Sequence, residues 1–225
     1  MRSLLLSLIA LGSSSLLAQA HMVYLVPTKE GMSVTVLFSD SLEVDEKVKM
    51  DKLGGMKLLA RVGGKDTPVD YTKADHSFAL KVSKNASLVY ATAVYGLLPK
   101  SEKSTLLVYH PKLALVSVVG NATALGETIG EMAELEITPI WEASKVRFRL
   151  LAKGKPVSSA AGSVVLPDGT KKQVRTDMEG NTPAFDDKGR FGIYLHLIEN
   201  KSGEHSGKKF EEIRHYATLV VDVVR

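Results

Sequence analysis

Histidine is the residue type in this chain with the most chemistry to offer: there are six among 225 residues, and no cysteine. The lack of cysteine removes thiolate nucleophiles, zinc ribbons and iron–sulfur clusters from consideration. His21 stands apart because of what precedes it. In "LLAQAHMVYLVP", residues 16 to 27, it follows Ala18, Gln19 and Ala20, the small-x-small pattern cut by export peptidases. A cut after Ala20 makes His21 the first residue, and its α-amine and imidazole Nδ1 can then close a six-membered chelate on one metal ion. A free α-amine has a pKa of about 7.7 to 8, so giving up its proton at neutral pH costs only about 1 kcal/mol. Copper(II) and nickel(II) suit nitrogen ligands in tetragonal geometry, which makes a divalent ion, nickel or copper, the expected cofactor.

A useful site needs a further nitrogen, and three histidines are candidates. In "RFGIYLHLI" strand alternation puts Phe191, Ile193, Leu195 and Leu197 on one face and Tyr194 and His196 on the other, so His196 leaves its own core. His110, before Pro111, reads as the end of the strand "STLLVYH", beside a cleft between domains. His215 shares a face with Ile213, Ala217, Leu219 and Val221, the pattern of a satisfied core histidine. The expected metal set is therefore His21 with His196, His215 or His110. His76 and His205 fall in polar turns and read as solvated. The carboxylates of "SDSLEVDE" and "TDMEGNTPAFDD" miss the calcium-loop spacing and read as turn formers and a solvated helix face.

The elements that must position these residues are strands. From Val23 onward short alternating runs are broken by glycine, aspartate or asparagine: "MVYLV", "MSVTVLF", "MKLLARV", "HSFALKV", "SLVYATAVYG" and "STLLVYH", then "AELEITPI", "KVRFRLLA", "AGSVVLP", "KKQVRT", "RFGIYLHLI" and "RHYATLVVDVV". Only "SLEVDEKVKM" and "NATALGETIGEM" look helical. The expectation is an all-β chain of two consecutive β-sandwich domains, residues 21–118 and 133–225, joined by a linker at 119–132. Residues 1–20 read as a cleaved signal peptide, with Arg2 before the apolar stretch "LLLSLIALGSSSLLA", too short to span a bilayer. Export to the periplasm or beyond follows, with no stable membrane insertion of the mature chain. The net charge of +4, lowered to +3 when Arg2 leaves with the signal, is spread over scattered lysines, so no nucleic-acid partner is expected.

Two resemblances sharpen this picture. "KGKPVSSAAGSVVLPDGTKKQVRTDMEG" carries, in order, a "GKPV" strand entry, an Asp168-Gly169 hairpin and an Asp177…Gly180 turn, and resembles the transthyretin-like or carboxypeptidase-regulatory-like sandwich module. Together with the opening Ala20-His21-Met22-Val23-Tyr24-Leu25-Val26-Pro27 and the closing His215-Tyr216-Ala217-Thr218-Leu219, nearly the whole mature chain resembles the periplasmic nickel-uptake-associated family, domain of unknown function family 4198. Met22 and Tyr24 depart from that family's acidic residue and tryptophan. The resemblance implies an exported two-sandwich protein tied to divalent-metal handling, and it raises His215 above an ordinary core position; the expected partner of such a metal carrier is an inner-membrane metal importer.

No G-x-S-x-G elbow, H-E-x-x-H, P-loop or dinucleotide fingerprint occurs, and the chain reads as a non-enzyme. Two alternatives stay open: an interaction or structural module for a protein or carbohydrate, and a copper-dependent oxidative enzyme built on an amino-terminal histidine brace. Trp141, beside Ile137 and Ile140, reads as core packing rather than as a binding platform.

Overall fold

The computed structural model describes residues 21–28, 32–98, 104–115, 128–142 and 144–224. The signal segment, residues 1–20, and the first part of the linker, 119–127, lie outside the described residues. The first half forms β1 (Met22–Pro27), β2 (Ser33–Ser39), β3 (Lys57–Val62), β4 (Lys65–Val69), β5 (Tyr71–Lys73), β6 (Ser77–Lys81), β7 (Ala86–Leu98) and β8 (Thr105–Ala114). The second half forms β9 (Glu136–Glu142), β10 (Lys145–Ala152), β11 (Lys155–Pro156), β12 (Ala161–Val165), β13 (Lys171–Arg175) and β14 (Gly189–Glu199). It closes with β15 (Gly203–His205), β16 (Lys208–Phe210) and β17 (Glu212–Val223). The chain is all-β, as expected. The first helical-looking patch, 41–50, forms turns and bends, with a single 3-10 turn just after it at Asp51–Leu53, and the described end of the second, 128–132, carries a 3-10 turn at Gly130–Met132.

An eight-stranded sheet, in the order β13-β12-β14-β17-β8-β7-β3-β4, forms the middle of the molecule. A four-stranded sheet, β1-β2-β6-β5, covers one face, and a three-stranded sheet, β11-β10-β9, covers part of the other. Alternation dictates which side chains go where. On β8, Leu107, Tyr109 and Leu113 enter the front core with Val23, Leu25, Val36 and Phe78. On β17, Ala217, Leu219 and Val221 enter the back core with Ile137, Phe148, Leu150 and Phe191. Two cores thus lie on opposite faces of this sheet, and they are not separate bodies. β17 pairs in parallel with β8, from Glu212↔Thr105 to Val220↔Leu113, and this seam welds the two halves into one sheet. Front-face contacts add to it: Thr218 Oγ1 donates to the Val23 carbonyl at 2.6 Å, and Arg190 donates to the Pro27 carbonyl at 2.9 Å while gripping Asp222 with its other nitrogens.

β8 does not end at His110 as its proline suggested. It continues through Pro111, which pairs with Thr218 across the parallel seam, to Ala114. The proline has no N–H to give, and the β7–β8 pairing correspondingly skips from Tyr90↔Lys112 to Ala93↔Tyr109. Turn chemistry follows the sequence: Gly169, with φ of +85°, completes the β12–β13 hairpin while Asp168 Oδ1 accepts the Thr170 N–H at 2.9 Å.

Candidate functional site

The strand alternation that builds the two cores also sorts the candidate ligands. His21 and His196 belong to the front of the central sheet, His110 and His215 to its back. His196 packs against Tyr216, ring centroids 5.8 Å apart, while His215 stands on the back of the neighbouring strand beside Leu197. The four histidines therefore do not form one shell. Among the described residues no group of three or more His, Cys, Asp or Glu side chains is placed to hold a metal ion.

His21 sits at the entrance of β1. Its carbonyl faces the Tyr109 hydroxyl at 3.5 Å, its ring tilts against Phe38 at 5.7 Å, and its Nε2 lies 3.1 Å from Asp45 Oδ2. Asp45 closes its own turn by accepting the Lys47 N–H at 2.9 Å. That backbone contact first, and the His21 ring second, hold its carboxyl below the usual carboxylate range. A carboxylate only accepts hydrogen bonds, so the proton of His21 is placed on Nε2 and its Nδ1 keeps a lone pair. Among the described residues Nδ1 has no hydrogen-bond partner. The donor set therefore fits the amine-plus-Nδ1 chelate, with Asp45 fixing the tautomer.

His110 and His215, 105 positions apart, meet at the seam with Nε2 and Nδ1 2.9 Å from one another. Their ring centroids are 5.2 Å apart and their planes differ by 27°. The centroid separation exceeds the nitrogen separation by about the reach of the two rings, so the rings meet edge to edge and the nitrogens point at one another. Such nitrogens share a proton; they do not converge on a third point where a chelated ion would sit. The pair continues outward on both sides: Thr92 Oγ1 lies 3.5 Å from His110 Nδ1, and Glu199 Oε2 lies 3.3 Å from His215 Nε2. Thr92, His110, His215 and Glu199 occupy the adjacent strands β7, β8, β17 and β14, one residue on each. Burial first, then the neighbouring His215, pushes the His110 imidazole down to about 3.

Next to this row lies a cavity of about 200 Å³ lined by Tyr90, Thr92, His110, Lys112, Met132 and Glu136 among others. Lys112 and Glu136 are both 1% exposed and form an ion pair of 2.6 Å. Glu136 also accepts the Ile129 and Gly130 N–H groups at 2.9 and 2.8 Å, pinning the segment before β9 onto the sheet. Sequence reasoning missed this pair, although Lys112 shares the strand phase of Leu106, Val108 and His110. It also missed Asp45, Thr92 and Glu199 as partners of the histidines. Of the two remaining histidines, His76 Nδ1 bonds to the Val48 carbonyl at 2.9 Å, and His205 ends the short β15. The expected turn role of the carboxylates holds at Asp177, whose Oδ1 accepts from Glu179 and Asn181.

No family model matches this chain, and no curated protein matches it. Among solved structures it is similar to one from a 1.5-MDa bacterial ice-binding adhesin, at 10% identity and a TM-score of 0.25, covering 89% of this chain and 63% of that one. It is also similar to the pullulanase from Anoxybacillus sp. LM18-11, at 13% identity and a TM-score of 0.20, covering 85% of this chain and 27% of that one. Among the described residues no helix is long and apolar enough to cross a membrane.

Proposed function

We propose that this chain is an exported, non-enzymatic protein that binds a divalent transition metal, nickel or copper, through the α-amine and Nδ1 of His21 and supports metal uptake by an inner-membrane importer. The observation that carries the reading is the contact of 3.1 Å between His21 Nε2 and Asp45 Oδ2. Metal-ligating imidazoles commonly donate their other ring N–H to a carboxylate, which fixes the tautomer and raises the basicity of the ligating nitrogen. Asp45 stands in that position, and its charge offsets part of the ion's. The α-amine depends on cleavage after Ala20, supported by the Ala18-Gln19-Ala20 pattern. The likeness of the opening and closing segments to the nickel-uptake-associated family supports the same assignment. The ion supplies no reaction here; His21 binds and orients it, and the further nitrogen that a useful site needs comes from the receiving partner, since His110 and His215 are turned to one another on the opposite face.

The test is calorimetric titration of exported protein with nickel and with copper, after intact-mass measurement establishes whether His21 is the first residue. His21→Ala should weaken binding at least 100-fold, and Asp45→Asn about 10- to 100-fold, the usual loss for removal of such a partner. Equal binding by wild type and His21→Ala overturns the proposal. A second reading, an interaction module, is favoured by the back face of β3 and β7, where, among the described residues, Leu59, Thr92 and Val94 line a groove of about 440 Å³ and Val94 is 45% exposed. Absence of metal binding by every form would leave that reading in place.

A further inference from the structure

β1 is an edge strand, paired only with β2 among the described residues. In an antiparallel ladder the N–H and C=O of one residue point to the same side, and successive residues alternate. Two contacts fix the phase. The Thr28 N–H, one residue past β1, donates to the Ser33 carbonyl at 2.9 Å, so the even-numbered positions of β1 face β2. The Val23 carbonyl, at an odd position, accepts instead from Thr218 of the central sheet at 2.6 Å. Met22 is even-numbered and stands directly opposite Ser39, so its N–H goes to the Ser39 carbonyl. Both residues are 1% exposed.

That bond decides how an ion can sit at His21. In a flexible chain with a free amino terminus, copper(II), and nickel(II) at higher pH, displaces the proton of the next peptide N–H and takes that nitrogen as a further ligand, because the amine and amide nitrogens close a five-membered ring on the ion. Here the next N–H belongs to Met22. Taking its nitrogen would strip the buried Ser39 carbonyl of its donor, a penalty of about 5- to 150-fold against amide ligation. The strand cannot turn to avoid this, since Thr218 hooks it at the Val23 carbonyl and Arg190 at the Pro27 carbonyl.

We propose that the Met22 N–H is a lock that limits the His21 chelate to two nitrogens, the α-amine and Nδ1, and leaves the remaining positions of the ion open to an imidazole-bearing partner. The inference rests on the metal-binding reading of His21 and names what the receiving partner must bring. Nothing nearby fills the open positions: His21 Nε2 is turned to Asp45, His110 and His215 are turned to one another on the opposite face, and among the described residues no group of three or more His, Cys, Asp or Glu side chains is placed to hold an ion. Imidazole is the donor that these ions favour in tetragonal geometry, and it can add to the open positions before either nitrogen of His21 leaves. Such a site hands its ion on; a site with the amide as third ligand would retain it.

The experiment uses exported protein whose mass shows His21 as the first residue, loaded with equimolar copper(II) and followed by visible absorption and electron paramagnetic resonance from about pH 6 to about pH 9. The folded protein should keep one two-nitrogen spectrum across the range. The same protein unfolded in urea should move, as pH rises, to the higher-energy absorption and lower parallel g-value of three or four nitrogens. Added imidazole should bring the folded protein to that nitrogen-rich pattern while the copper stays with the chain in gel filtration. The folded nickel form should remain paramagnetic at the upper end of the range. A folded protein that gains nitrogens with pH as the unfolded chain does overturns the lock and leaves the His21 reading standing. A folded spectrum that imidazole does not move overturns the open positions. Copper binding unchanged in His21→Ala removes the His21 reading and the lock with it.

Discussion

Replacing Lys112 by methionine isolates the electrostatic requirement of the pocket beside the seam. Methionine keeps most of the lysine stem, so the main loss is the ammonium group at 2.6 Å from Glu136 Oε2. What remains is a carboxylate 1% exposed, still held by the Ile129 and Gly130 N–H groups at 2.9 and 2.8 Å but without a countercharge. Removing one partner of a buried ion pair costs about 3–5 kcal/mol, and the two surviving charge-assisted bonds place the expectation near the lower end, about 3 kcal/mol. Against a total stability of roughly 5–15 kcal/mol that is a large fraction. The double variant Lys112→Met/Glu136→Gln removes both charges, keeps one acceptor for the backbone N–H groups, and should recover most of the loss, to within about 1.5 kcal/mol of wild type. Urea unfolding at pH 7, with m-values checked for equality, reads both numbers. A single-variant cost below about 1 kcal/mol, or a double variant whose cost is the sum of the two singles, refutes the reasoning, since coupling through a shared buried contact is non-additive.

Two further outcomes test the packing that carries the histidines. A Cβ on Gly162 would lie 1.9 Å from the Tyr194 carbonyl oxygen, backbone against backbone, so Gly162→Ala should break the β12–β14 pairing and cost upwards of about 4 kcal/mol, whereas Gly192→Ala meets only the flexible Leu42 side chain at 2.5 Å and should cost clearly less; equal thermal unfolding of the two variants contradicts this. Thr218→Val keeps volume but removes the donor 2.6 Å from the buried Val23 carbonyl, and should cost about 1–3 kcal/mol in urea unfolding while leaving the secondary-structure circular dichroism unchanged.

Much of this molecule is decided by a local property of the chain. In a strand successive side chains point to opposite faces whatever the partner strand is, so alternation alone identified the twelve principal strands, separated His196 from the core face of its strand, and put His215 in phase with Ala217, Leu219 and Val221. Glycine and aspartate at the Asp168-Gly169 hairpin act just as locally, through φ and a side-chain-to-backbone bond. The short strands β4, β5, β15 and β16 escaped notice because each pairs over five residues or fewer with little apolar pattern of its own. Pro111 misled for the opposite reason: a local signal for a strand end was overruled by β17, whose parallel pairing carries β8 past the missing N–H. Which strand lies beside which is a property of the whole sheet, settled by burial and pairing summed over distant segments. The meeting of His110 with His215, the row out to Thr92 and Glu199, the ion pair of Lys112 with Glu136 and the approach of Asp45 to His21 all depend on it, and only the tertiary structure decided them.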